Sequence, residues 1–136
     1  MIKAKTIKIY LTTLVVFLGI DSIWLTQVSP NTYKHYIGYL LSDNPNLLAA
    51  LIFYLLFVLG MVVLVILPAL QKKSLQQAAT HGALLGLVSY ATYDLTNLAV
   101  VTGWPIAITV IDLAWGTSLS LATATISYSI AKKFLK

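Results

Sequence analysis

Four runs of about 20 or more mostly apolar residues decide what this chain can become. They lie roughly at 7–28, 47–67, 79–101 and 106–130. A helix needs about 20 such residues to cross a bilayer, so each run is long enough. Together they use most of the 136 residues and leave no room for a soluble domain. The expected fold is therefore all-α: a single polytopic membrane domain over 1–136, with four transmembrane helices in one bundle. The chain is 59% hydrophobic and 10% charged, against about 45–50% and about 25% in ordinary soluble domains. It has no cysteine, which excludes a disulfide scaffold, thiolate metal sites and thiol nucleophiles.

Local signals mark the ends of the runs. Ser29, Pro30 and Asn31 are expected to stop the first helix, and Pro68 to end the second or sit just past it. Asn46, after Asn44 and Pro45, is a good N-cap for the second. Gly103, Trp104 and Pro105 make a turn, with Pro105 opening the fourth helix. Lysines precede the first run as in a signal peptide, but no A-x-A-like cleavage site follows, so a retained span is expected. The long connection 29–46 carries Tyr33, Tyr36 and Tyr39. It reads as a short helix lying in the outer interface, or as a lid over a site that opens outward. Trp104 reads as an interface anchor.

Every basic residue apart from the two histidines is a lysine. Lys3, Lys5 and Lys8, then Lys72 and Lys73, then Lys132, Lys133 and Lys136 fall on one side of the alternating spans. Lys34 alone falls on the other. Lysine-rich flanks stay cytoplasmic, so both termini are expected inside, which requires an even number of spans. The net charge of +5 then serves orientation and anionic headgroups, and no nucleic-acid partner is expected.

The chain has four acidic residues, and three of them, Asp21, Asp94 and Asp112, fall inside spans. Each costs about 2.5–3.5 kcal/mol at a span centre. Counting helical rise puts all three at roughly one level, about 20 Å from the cytoplasmic face, with Tyr54 at a similar depth. Thr13, Phe17, Asp21 and Trp24 share one helix stripe. Gly86, Tyr90, Asp94 and Asn97 share another, and Asp112, Gly116, Thr123 and Ser127 a third. Trp115 lies one turn from Asp112. No lysine lies at this depth, so protein cations cannot neutralise the carboxyls. The expected binding set is Asp21, Trp24, Tyr54, Tyr90, Tyr93, Asp94, Asn97, Asp112 and Trp115, with the second helix contributing least. Asp-x-x-Trp occurs twice, and a carboxylate beside an indole suits an organic cation. Because the two helices run in opposite directions, the two indoles are expected on opposite sides of the carboxyl level. Gly82 and Gly86 form a G-x-x-x-G that favours close helix packing. Thr117, Ser118, Ser120, Thr123, Thr125 and Ser127 either line a polar path or bond the preceding turn.

No nucleotide-binding loop, histidine-based zinc motif or nucleophile elbow is present. No metal and no cofactor is indicated. Three functions fit. The leading one is binding or transport of a small solute, cation or proton at the aspartate and aromatic pocket, open to the outer side. A homodimer would extend so short a transport path. The second is an intramembrane enzyme using the aspartates as acid and base or as ligands to a divalent metal. The third is a scaffold whose aspartates only tie helices together.

Gly19-Ile20-Asp21-Ser22-Ile23-Trp24, Tyr93-Asp94-Leu95-Thr96-Asn97 and Asp112-Leu113-Ala114-Trp115-Gly116 resemble the bacterial membrane proteins grouped as domain of unknown function family 2177. The resemblance spans nearly the whole chain. It implies a small four-span protein of the bacterial inner membrane and supplies no activity or substrate.

Overall fold

Two prolines expected to end helices are instead absorbed into them. The computed structural model describes residues 2–136. Helix α1 (Ile2–Ile23) passes through a π-helical segment (Trp24–Val28) into α2 (Ser29–Ile37) without a break. Helix α3 (Leu47–Met61) passes through a second π segment (Val62–Ile66) into α4 (Leu67–Gln71). Each π segment stands just before a residue followed by proline, Ser29-Pro30 or Leu67-Pro68. A proline has no N–H, and its ring collides with the carbonyl four residues earlier. In both places the turn widens to i→i−5: Ser29 N–H donates to the Trp24 carbonyl, and Leu67 N–H to that of Val62. The wider turn accommodates the ring and keeps the helix running. Ser29, Pro30 and Asn31 therefore do not stop the first helix, and Pro68 lies inside the second.

The remaining boundaries follow their caps. Asn46 Oδ1 accepts from the Ala49 N–H at 3.0 Å and starts α3, as expected. Ser74 Oγ accepts from the Gln77 N–H at 3.0 Å, so α5 (Leu75–Val100) begins a turn earlier than the apolar run alone suggests. Gly103, at φ +75°, makes the turn, and Pro105 directly precedes α6 (Ile106–Phe134). Among the described residues there is no strand.

Three helical stretches are long and apolar enough to cross a membrane: Lys3–Leu40, Leu47–Gln71 and Ile106–Phe134. Helix α5 has the length, with 26 residues, but is less apolar. Its polar groups are partly turned inward, with Asp94 fully buried. The closest pairing is α5 on α6, along a strip of small residues. A Cβ on Gly82 would lie 2.5 Å from that of Ala124, and one on Gly86 would overlap the Gly116 carbonyl and Ser120. The G-x-x-x-G thus packs as expected. Helix α1 lies antiparallel along α6, and Phe17 is buried between Tyr54 and Phe57 of α3. Phe17, Val58, Met61, Ile66 and Leu119 centre the core. The bundle has a lysine end, where Lys73, Lys132 and Lys136 share one hollow, and a turn end, where α5 meets α6.

Candidate functional site

The three carboxyl groups fall into two places about one turn apart. Asp21 belongs to the first. Its Oδ2 accepts from the Tyr54 hydroxyl at 3.0 Å and its Oδ1 from the Trp115 Nε1–H at 3.3 Å. Both oxygens are satisfied, and the side chain ties α1 to α3 and α6. This hydrogen bond sets the register of α1 on α6: Trp115 is level with Asp21, which leaves Asp112, three residues earlier on the antiparallel helix, level with Trp24. The same register brings the two indoles face to face, stacked at 4.4 Å with 9° between planes. They lie together, and not on opposite sides of one carboxyl level. That expectation treated Asp21 and Asp112 as level with each other.

Asp94 and Asp112 form the second place. Their carboxyls lie within hydrogen-bonding reach of each other. Asp112 Oδ1 accepts a short hydrogen bond from the Tyr33 hydroxyl. Asp94 is 0% exposed, and among the described residues no donor reaches either of its oxygens. Two ionised carboxylates cannot bond each other, and a proton on either converts the contact into a hydrogen bond. Both residues line a cavity of about 400 Å³ walled also by Tyr33, Phe53, Ser89, Tyr90 and Tyr93, with the Asp94 oxygens buried behind its surface. Tyr90 lies between the two places, its ring laid over Gly116 where a Cβ would overlap it.

Of the expected binding set, Tyr90, Tyr93, Asp94 and Asp112 line the cavity. Asp21, Trp24, Tyr54 and Trp115 back it without lining it. Asn97 stands a turn beyond Tyr93 and is not in the wall. Among the described residues no three His, Cys, Asp or Glu side chains converge as metal ligands would, so the three aspartates do not make one shared ligand set. Helix α3 gives more than expected, with Tyr54 on Asp21 and Phe53 in the cavity wall.

Helix α2 and the segment after it cover the turn end. Ile37 of α2 packs on Trp104 and Ile108, and the Tyr39 hydroxyl donates to the Gly103 carbonyl at 3.0 Å. Trp104 is buried within the fold at 8% exposure, and its Nε1–H donates to Thr109 Oγ1 at 3.1 Å. Thr109 Oγ1 in turn donates to the Asp94 carbonyl at 3.4 Å, fixing the end of α5 on the start of α6. Along α6 the hydroxyls divide. Thr117, Ser118 and Thr125 bond carbonyls of the preceding turn. Ser120, Thr123 and Ser127 are buried without partners among the described residues.

Sequence reasoning missed Phe53, Ser89 and Thr109, and reached Tyr33 only as part of a connection that could form a lid over the site. The matching family model covers residues 6–129 and is described as "Predicted membrane protein (DUF2177)". The chain belongs to this family. No curated protein and no solved structure matches it. All three segments that carry the DUF2177 resemblance fall within the matched residues, and each contributes one of the three buried aspartates.

Proposed function

We propose that this DUF2177 protein binds a small organic cation at Asp94 and Asp112, within the membrane. One observation carries the reading: Asp94 is wholly buried, has no donor among the described residues beyond a proton shared with Asp112, and lies in a cavity wall otherwise made largely of aromatic rings. Two carboxyls buried side by side cost several kcal/mol when both are ionised. A bound cation offsets that cost, and ring faces attract it further. Asp94 and Asp112 supply charge, Tyr33, Tyr90, Tyr93 and Phe53 supply faces, and Tyr33 holds Asp112 in place. Asp21, with both oxygens already bonded, serves as the structural tie that the scaffold reading assigned to all three aspartates.

The setting is a four-span bundle with both termini cytoplasmic in the bacterial inner membrane. Helix α5 lies along α6, so a bilayer crossed by one is crossed by both. Four crossings return the chain to its starting side, and the lysine end then faces the cytoplasm. A second reading, an acid–base enzyme, is favoured by the facing carboxyls, since such a pair shares one proton between an acid and a base.

The test is titration of nanodisc-embedded protein with tetraethylammonium, read by tryptophan fluorescence, because Trp24 and Trp104 touch the cavity rings Tyr33 and Tyr93. Saturable binding is expected in the wild type and in a control with Asp43→Asn. A loss of tenfold or more is expected in Asp94→Asn and in Asp112→Asn. Equal affinity in all four proteins would contradict the proposal.

A further inference from the structure

Phe53 of α3 and Tyr93 of α5 both line the cavity. Helix α2 covers the turn end, and α3 scarcely touches α5, although the π segment below it does. The gap between α3 and α5 is flanked by Phe53 and Tyr93, which are 44% and 58% exposed. In a membrane that side meets acyl chains and not water. Toward the lysine end, where the π segment meets α5, a second and separate groove lies on the same side of α5. His81, Leu85, Ser89 and Tyr93 recur every four residues, so they form one row on α5. Ser89 and Tyr93 line the cavity. His81 and Leu85 line a mainly apolar groove of about 280 Å³ with Leu64, Val65, Leu84 and Val88. The row from Tyr93 to His81 spans about 18 Å, slightly more than half the hydrocarbon thickness of a bilayer.

We propose that the ligand is a single-chain cationic amphiphile that reaches the cavity sideways from the bilayer between α3 and α5. Its charged head sits at Asp94 and Asp112, and its tail lies along the groove. This rests on the cation reading above and adds the tail and the route. Charge complementarity selects the head: the cavity wall holds two carboxyls and no basic side chain. The groove selects the tail: it is apolar apart from His81 at its far end.

The experiment compares dodecyltrimethylammonium with tetramethylammonium on protein in nanodiscs, read by tryptophan fluorescence and corrected for partition into empty nanodiscs. The dodecyl compound is expected to bind at least tenfold more tightly. Val88→Phe and, independently, Leu64→Phe fill the groove. Each is expected to bring the dodecyl affinity down to that of tetramethylammonium while leaving the latter unchanged. Asp94→Asn is expected to abolish both. Equal corrected affinities, or groove variants without effect, overturn the tail and the sideways route while the cation reading stands. Failure of both compounds to bind the wild type overturns both proposals.

Discussion

Asp21 and Asp94 are the same side chain at neighbouring depths with opposite hydrogen-bond states, and their substitutions should behave oppositely. Tyr54→Phe removes the donor to Asp21 Oδ2 and leaves a buried acceptor unmatched. We expect it to lower stability by about 1–3 kcal/mol, measured as thermal unfolding in detergent. Asp94→Asn gives the buried position an amide that can donate to Asp112. We expect unchanged stability or a gain of about 1 kcal/mol together with lost cation binding, the trade common at functional sites. A loss of about 2 kcal/mol or more in Asp94→Asn would place Asp94 among the structural ties. At this scale the sequence was informative about charge, and about partners only by depth, which pointed to Tyr54 without saying which carboxyl it reaches. A carboxyl inside an apolar run is visible from composition. Which hydroxyl reaches it depends on helix register, and register here is set by the Asp21–Trp115 contact, 94 residues apart in the chain.

Among the elements, α5 and α6 depend on missing side chains. Gly86→Ala would drive a methyl into Gly116 and Ser120, and Gly116→Ala would displace the Tyr90 ring. Each is expected to cost about 1–3 kcal/mol by overpacking, and Gly116→Ala should also weaken cation binding. Gly19 and Gly60 have open space where a Cβ would stand, with nothing within 4 Å. Gly19→Ala and Gly60→Ala should therefore stabilise by about 0.5–1 kcal/mol through helix propensity. Equal effects in the two pairs, read from unfolding midpoints, would refute close packing of α5 on α6. The existence of these helices was legible from apolar runs, and two of their ends from Asn46 and Pro105. The continuity through Pro30 and Pro68 was not. Proline reads as a break only if the turn before it stays α-helical, and a π turn removes that condition. Missing it left Tyr33 on a separate connection, an interfacial helix or a lid, whereas it is part of one continuous helix.

For the molecule as a whole, the lysines argue one orientation and the packing argues four crossings. Because the chain has no cysteine, single replacements report topology cleanly. Ser42→Cys, beyond α2, should react with a membrane-impermeant maleimide added to intact cells. Gln71→Cys, at the end of α4, should react only after the membrane is opened. Reaction of both from outside would contradict the four-span arrangement. The division between a lysine end and a carboxyl site near the turn end was readable from charge placement. The separation of α3 from α5 was not, since no local pattern points to it. The most direct measurement is native mass spectrometry of gently extracted protein. A positively charged small molecule should accompany the wild type and be missing from Asp94→Asn. Wild-type protein that carries only neutral or anionic lipid, or an Asp94→Asn variant that keeps the same cation, would contradict binding at that carboxyl.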